Sequence, residues 1–372
     1  MILFLVSVIF VLVLLVSWIR LVRESRRFNI NGPMPLPIIG NAHMFVSKST
    51  EFLNLLAHYA DKYGKVYREI VTGQEYISKG GPYKLLSSWL GKGLLTATGQ
   101  RWKSHRKFLT PAFHFTILQN FLPVFCKNQR VLTEKLRELA DGRPIDMFPI
   151  VALAALDNVT ESIMGSSVDA QGHESESAYV KSIEEMSSIL AMRIQIPIFG
   201  PNAIFNLTPY KISQVKALKV LHGHTRKVIE ARRQELKKAN ITSLDASTDV
   251  GIRNKHAFLD LLLLGEIDGK KIDDESVREE VDTFMFEGHD TTTSGISYVL
   301  YCLSKRRHIQ EKIYEELQTI FGQKFAMMEL KITISEIVKH FHILPVDEPP
   351  QLSADLILRS KNGVKVRLMP RK

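Results

Sequence analysis

Cysteine is nearly absent from this chain: Cys126 and Cys302 are the only two in 372 residues. They stand far apart, which excludes a disulfide framework and a thiolate zinc site. No internal repeat is evident, and strand signals are few. The formal charge is +10, yet no aromatic-basic interleaving or nucleic-acid motif accompanies it, which argues against a nucleic-acid partner. Charge is missing altogether from Met1 to Ile19, where Ser7 and Ser17 alone interrupt an apolar run.

At a rise of about 1.5 Å per residue, that run nearly spans a hydrocarbon layer of about 30 Å. No basic segment precedes it and no small-residue cleavage site follows Trp18, so it reads as an anchor rather than a cleaved signal. Arg20, Arg23, Arg26 and Arg27 come next, and a positive flank stays cytosolic. Pro33, Pro35 and Pro37 then forbid helix and make a stiff connector. The expected division is residues 1–20 as transmembrane anchor, 21–41 as basic stop and Pro-rich hinge, and 42–372 as the globular part. At 45% hydrophobic and 24% charged, the chain can bury a sizeable core.

Helical patterns dominate the rest. They are expected over Thr50 to Tyr63, Tyr83 to Leu90, Arg101 to Phe108, Thr116 to Leu139, Met147 to Met164, Ser177 to Met192, Lys211 to Lys238, Phe258 to Gly265 and Asp273 to Ser304. Asn240 to Asn254 is polar and aperiodic, so it reads as a mobile loop. LILRS and VKVRL flank Lys361-Asn362-Gly363, a hairpin signal. Pro197 to Pro209, apolar and punctuated by proline, either dips into a membrane interface or packs as a loop.

The most informative stretch is Glu280 to Gly295, EVDTFMFEGHDTTTSG. Its flanks are helical, but Gly288 costs about 1 kcal/mol in a helix interior and three successive threonines are poor helix formers. Glu287, Asp290 and Thr291 fall at i, i+3 and i+4 and are expected to share a face. Gly288 is expected to leave a notch where a flat ligand meets the backbone. A buried helix with a satisfied polar kink is the other reading of the same residues.

Glu287-Gly288-His289-Asp290-Thr291-Thr292 resembles the oxygen-activating distal helix of the cytochrome P-450 haem-thiolate monooxygenases. The form FEGHDTT is similar to family four, the fatty-acid omega-hydroxylase branch and its insect relatives. The resemblance implies that Asp290 and Thr291 relay protons during oxygen activation and that Glu287 can become esterified to a haem methyl. Upstream, Trp102 and Arg106 in GQRWKSHRKFLTPAFHF fit the family's Trp-x-x-x-Arg pattern. There the guanidinium and indole N–H hold a haem propionate. His105 and Lys107 read as a solvated basic face.

The resemblance therefore implies a mainly α, cytochrome P-450-type fold with a small residual β portion and an N-terminal transmembrane helix. Haem is the implied cofactor. The implied partners are membrane lipid, an NADPH-cytochrome reductase as acidic electron donor, and a lipophilic small-molecule substrate. The implied place is the endoplasmic reticulum membrane, facing the cytosol. The basic clusters Arg20 to Arg27, Arg226 to Arg233 and Lys305 to Arg307 read mostly as solvated surface, with lipid headgroups and the donor as partners for the rest.

Two gaps interrupt the resemblance. After Lys65-Val66-Tyr67-Arg68 the chain jumps past the family's first strands. Near Gly322 about a hundred family residues are missing, including the Glu-x-x-Arg helix and the cysteine loop. The family's cysteine lies two residues before the Gly of Gly322-Gln323-Lys324-Phe325-Ala326, and here that position is Ile320. Cys302 shares a helix with Thr291 and Cys126 has no motif around it, so no metal ligand is assigned. Any haem would rest on Arg106, Trp102 and apolar contacts around Phe286, with His289 as the remaining conceivable ligand. Three readings follow: a family-four monooxygenase by descent, an internally deleted and inactive product, or a membrane-anchored protein that sequesters lipid or reductase.

Overall fold

A computed structural model describes residues 2–27, isolated positions between 51 and 79, and 81–113, 117, 119–172, 174–243, 258–317 and 325–371. The hinge prolines, most of the expected Thr50 to Tyr63 helix, both junctions, Ile320 and most of the expected Asn240 to Asn254 loop lie outside the described residues. The described part is mainly helical, as expected. In chain order come α1 (Ile2–Arg27), α2 (Gly81–Leu90), α3 (Gly99–Leu109), α4 (Leu122–Leu139), α5 (Met147–Ser162), α6 (Glu174–Gln195), α7 (Pro209–Lys238), α8 (Phe258–Leu264), α9 (Asp274–Ser304), α10 (Arg307–Leu317) and α11 (Phe325–His340).

Short strands add a small β portion. β1 (Pro144–Asp146), β7 (Lys365–Pro370) and β4 (Phe341–Leu344) form one antiparallel sheet in the order β1-β7-β4. β2 (Glu266–Ile267) pairs with β3 (Lys270–Lys271), and β5 (Leu352–Ala354) with β6 (Leu358–Ser360). The expected hairpin across Lys361-Asn362-Gly363 is therefore corrected. Its turn exists, with Gly363 at φ +82, but its two arms enter different sheets. Asn362 accounts for this: its side chain accepts from the Gln351 N–H at 2.7 Å and donates to the Pro349 carbonyl at 3.0 Å. That ties the turn to the segment leading into β5, and β7 pairs with β1 and β4.

α9 is the axle. Asp273 caps it by accepting the Ser276 N–H at 2.9 Å, and Asp274 and Glu275 fill the first turn, where the helix dipole favours negative charge. It packs most extensively on α5 and also against α11, α7 and α2. Two apolar clusters meet along it. Val281, Met285 and Phe286 join the first with Trp89, Leu156, Ile183, Leu221 and Phe258. Ile296, Leu300 and Leu303 join the second with Leu132, Met147, Ile337, Phe341 and Val366. Between them lies the polar stretch Glu287 to Ser294. Its threonines are tolerated because each hydroxyl bonds a carbonyl one turn back, as Thr292 does to Gly288 at 2.9 Å and Thr293 to His289 at 2.8 Å.

Buried charges on α9 are all matched. Asp282 accepts from Thr225 Oγ1 at 2.5 Å, stands 2.9 Å from His222 Nδ1, and pairs with Arg278 one turn back. Arg232, expected on a solvated face, instead forks onto the buried Asp260 at 2.6 and 2.8 Å, tying α7 to α8. Glu329 of α11 is fully buried, and burial pushes its carboxyl up to about 7. It accepts from Asn158 Nδ2 at 3.1 Å, and Asn158 in turn accepts from Asn128.

Among the described residues no helix is long and apolar enough to cross a membrane, with the side chains of α1 described from Ile9. The expected anchor is thus not established by the structure. The Pro197 to Pro209 segment is not a packed loop on its outer side. Leu207 is 88% exposed and Ile198 61%, while Phe205 is buried beneath the Arg193 guanidinium, 4.0 Å from its ring centroid.

Removing one member of a buried ion pair strands the other, typically at a cost of about 3–5 kcal/mol. Asp282→Ala leaves Arg278 and Thr225 without that carboxylate and should lose stability on this scale in urea unfolding. A loss below about 1 kcal/mol would contradict the role given to this cluster.

Candidate active site

The polar stretch of α9 divides its side chains between two sides. Thr291 is exposed in the middle of a helix that is otherwise largely buried, and its hydroxyl donates to the Glu287 carbonyl at 2.6 Å. Glu287 is half-buried, and burial pushes its carboxyl up to about 7. The negative charge of Glu280 adds to that rise, while Lys79 and Arg106 pull it back. Glu287 and Thr291 are thus brought together on one open face.

Asp290 is not on that face. It is fully buried, and its Oδ1 accepts from Arg359 Nη2 at 2.5 Å. Arg359 also donates to Glu184 Oε1 at 3.1 Å, so one guanidinium joins α9, β6 and α6. Burial drives the Asp290 carboxyl upward and the Arg359 charge opposes it. The shared face expected for Glu287, Asp290 and Thr291 is corrected, because the i+3 position already belongs to the β6 side of the helix.

The notch expected at Gly288 is also corrected. A Cβ there would lie 2.8 Å from Val159 Cγ2, so the glycine is needed for close packing of α9 on α5. His289 faces inward as well. It is fully buried, edge-on to Tyr179 with ring centroids 6.4 Å apart, and burial pushes it down to about 3. A ring so enclosed is no ligand for a group on the open face. Phe286 is likewise withdrawn into the core, 4.6 Å from the Trp89 ring centroid.

On α3, Trp102 is half-buried against the first apolar cluster and Arg106 is exposed. Neither the indole N–H nor the guanidinium has a hydrogen-bond partner among the described residues. His105, expected on a solvated face with Lys107, is buried, its Nδ1 2.7 Å from Glu280 Oε1. Lys107 is exposed as expected. The sequence reading missed the buried partners Arg359, His105 and Glu280. An arginine at an inward position of the apolar LILRS run was the available signal for the first.

These residues fit the edge and one face of a haem. Trp102 and Arg106 carry donors suited to propionates, without hydrogen-bond partners among the described residues, and the Arg106 charge is felt at Glu287, beside the exposed Thr291. They do not supply an axial thiolate. Cys302 lies on α9 itself, Cys126 lies on α4, and both are exposed. No group of three or more His, Cys, Asp or Glu residues able to hold a metal ion occurs among the described residues.

A family model described as Cytochrome P450 matches residues 69–324. The chain is 30% identical to cytochrome P450 4d2 of Drosophila melanogaster over 486 residues, covering 96% of this chain and 97% of that protein. That alignment is longer than the 372 residues of this chain, so it opens gaps opposite residues that the relative has. Cytochrome P450 4c21 of Blattella germanica is 40% identical, over 68% of this chain and 50% of its own length. Cytochrome P450 4d10 of Drosophila mettleri is 35% identical, over 82% and 64%. Against these two the chain spans between half and two thirds of the relative.

Two outcomes follow from this geometry. Overpacking costs about 1–3 kcal/mol, while replacing a helical glycine by alanine returns about 1 kcal/mol. Gly288→Ala should therefore destabilise by about 1 kcal/mol in the native background and stabilise when Val159→Ala is also present. A thermal-melt cycle checks the change of sign. For Glu287, a folded value of about 7 lies above the ordinary 4.5, so folding takes up a proton. Its stabilising contribution is full below about 4.5 and is lost as pH rises through about 7. The stability of the native chain should fall relative to Glu287→Gln across that window, and parallel profiles would remove the shift.

Proposed function

Because the chain belongs to the cytochrome P450 family of haem monooxygenases and is family-four-like, we propose that it carries the distal half of a fatty-acid or other lipophilic-substrate hydroxylase without the segment that supplies the axial cysteine. The observation that carries this is Thr291, exposed beside Glu287 in the middle of a largely buried helix, with no available thiolate opposite it. The alignment of 486 positions against a shorter chain supports an internal deletion, as does a family match that begins at Glu69, just past the first junction.

Trp102 and Arg106 are the residues assigned to the propionates and Glu287 and Thr291 to the open face, while Asp290, held by Arg359 behind it, is assigned a structural place instead of the proton relay. Haem, when bound, supplies oxygen chemistry in the family. Since this chain offers its iron no thiolate, hydroxylation is assigned to forms that contain the missing segment, with electrons from an NADPH-dependent reductase. This chain then stands as an inactive, internally deleted relative.

Placement on the endoplasmic reticulum membrane is part of the proposal. Two features support it: the apolar positions of α1 from Ile9 to Ile19 and the outward apolar face of Ile198, Ile204, Leu207, Tyr210, Ile212 and Val215. Lys216 and Lys219 stand exposed among the latter, as an anionic lipid surface favours.

The reduced, carbon-monoxide-bound difference spectrum tests the central point. Expressed with haem precursor, this chain should lack the Soret band of thiolate ligation, and restoring the family segment at Gly322 should bring it back. A thiolate band together with NADPH-dependent fatty-acid hydroxylation from these 372 residues would overturn the proposal.

A further inference from the structure

α3 buries Leu109 and His105, and packs Trp102 and Phe108 partly buried against the first apolar cluster. That apolar contact is non-directional, so it sets the depth of the helix more than its rotation. Polar contacts add a directional constraint. Arg101 Nη2 donates to Glu279 Oε2 at 3.0 Å and to Ser276 Oγ at 3.2 Å. One turn later His105 Nδ1 lies 2.7 Å from Glu280 Oε1. Arg101 and His105 are thus an i, i+4 pair on two neighbouring carboxylates of α9.

The same carboxylates hold the loop that leads into α3. Glu280 Oε2, on a fully buried side chain, accepts the Leu94 N–H at 3.0 Å. Arg101 Nε donates to the Lys92 carbonyl at 3.0 Å. A Cβ at Gly93 would lie 2.3 Å from Thr283 Oγ1, so this loop lies directly against α9. Both the entry to α3 and its middle are pinned to Glu279-Glu280.

Trp102 and Arg106 each follow a pinned residue by one position, about 100° further round the helix. Neither has a hydrogen-bond partner among the described residues. We propose that Arg101 and His105 are positioning residues: through Glu279 and Glu280 they fix the rotation of α3, and so hold the Trp102 and Arg106 donors toward the propionates of a haem beside Glu287. This rests on the reading that Trp102 and Arg106 meet the haem edge.

The test is a hemin titration of the full chain in detergent, followed by Soret absorbance, over a double-mutant cycle between His105 and Arg106. His105→Ala and Arg106→Ala should each weaken hemin binding about tenfold, the scale of a hydrogen bond to a charged group. The double variant should be no more than about threefold weaker than Arg106→Ala, because an unaimed guanidinium has little left to lose. His105→Asn should restore binding to within about threefold, since its amide nitrogen can stand near the place of Nδ1. If His105→Ala does not fold, Glu280→Gln replaces it in the cycle, keeping an acceptor for the Leu94 N–H.

Multiplicative losses, an unchanged His105→Ala, or no rescue by Asn would overturn the positioning role while leaving the haem-edge reading intact. No saturable hemin binding by the folded native chain would sink that reading, and the positioning role with it.

Discussion

A helix buried on nearly every side cannot carry an unpaired charge, and that constraint on α9 organises the rest of the molecule. The desolvation of a lone carboxylate costs several kcal/mol. Each buried charge on α9 therefore appears with a partner from another element or from the preceding turn. Glu279 and Glu280 take α3 and its entry loop, Asp282 takes α7 and Arg278, and Asp290 takes β6. The pairs fix the azimuth at which each neighbour docks. The two apolar clusters then fill the space between elements already oriented.

The same constraint separates function from structure along one helix. Positions that face neighbours are spoken for: Gly288 by the close approach of Val159, His289 by Tyr179, and Asp290 by Arg359. What remains is the line of Glu287 and Thr291, open to the outside, with the donors of Trp102 and Arg106 on α3 left without a partner among the described residues. The half-buried setting that raises the Glu287 carboxyl is the setting in which a covering macrocycle would act most strongly on it. An uncovered face on an otherwise enclosed helix is physically costly only if it is apolar. Threonine hydroxyls bonded back to their own carbonyls make it tolerable.

The proposed deletion would remove chemistry without dismantling the axle. α9 keeps its cap, its pairs and both clusters, while α11 closes the second cluster through Ile337 and Val338 and holds Glu329 against Asn158. The sheet β1-β7-β4 follows directly on α11 and anchors the start of α5 through Asp146, which accepts the Val364 N–H at 2.9 Å. Relatives of greater length share this frame at 30–40% identity. In the proposed reading the thiolate ligand lies in the part that differs, and Cys126 and Cys302 of the frame do not take its place.

Much was legible from residue order. Asp273 with Asp274 and Glu275 marks the start of α9 because capping is a local interaction. EGHDTT and the Trp102/Arg106 spacing point to the family, since motifs are sequence facts. Helical periodicity places α5, α7 and α9 within a few residues. What the sequence could not say is which way each polar residue on α9 turns. Glu287, Asp290 and Thr291 satisfy the same i, i+3, i+4 rule, yet Asp290 faces a strand more than sixty positions away, at Arg359. His105 and Arg106 are adjacent and chemically alike, and only the carboxylate of Glu280 buries one and leaves the other free. Likewise the Gly363 turn forecast a hairpin, but Asn362 and the pairing of β7 with β4 sent its arms apart. Local structure follows from local sequence because its hydrogen bonds close within a few residues. The direction of a side chain in a buried helix is settled by partners brought in from elsewhere in the chain, and that is a property of the tertiary fold alone.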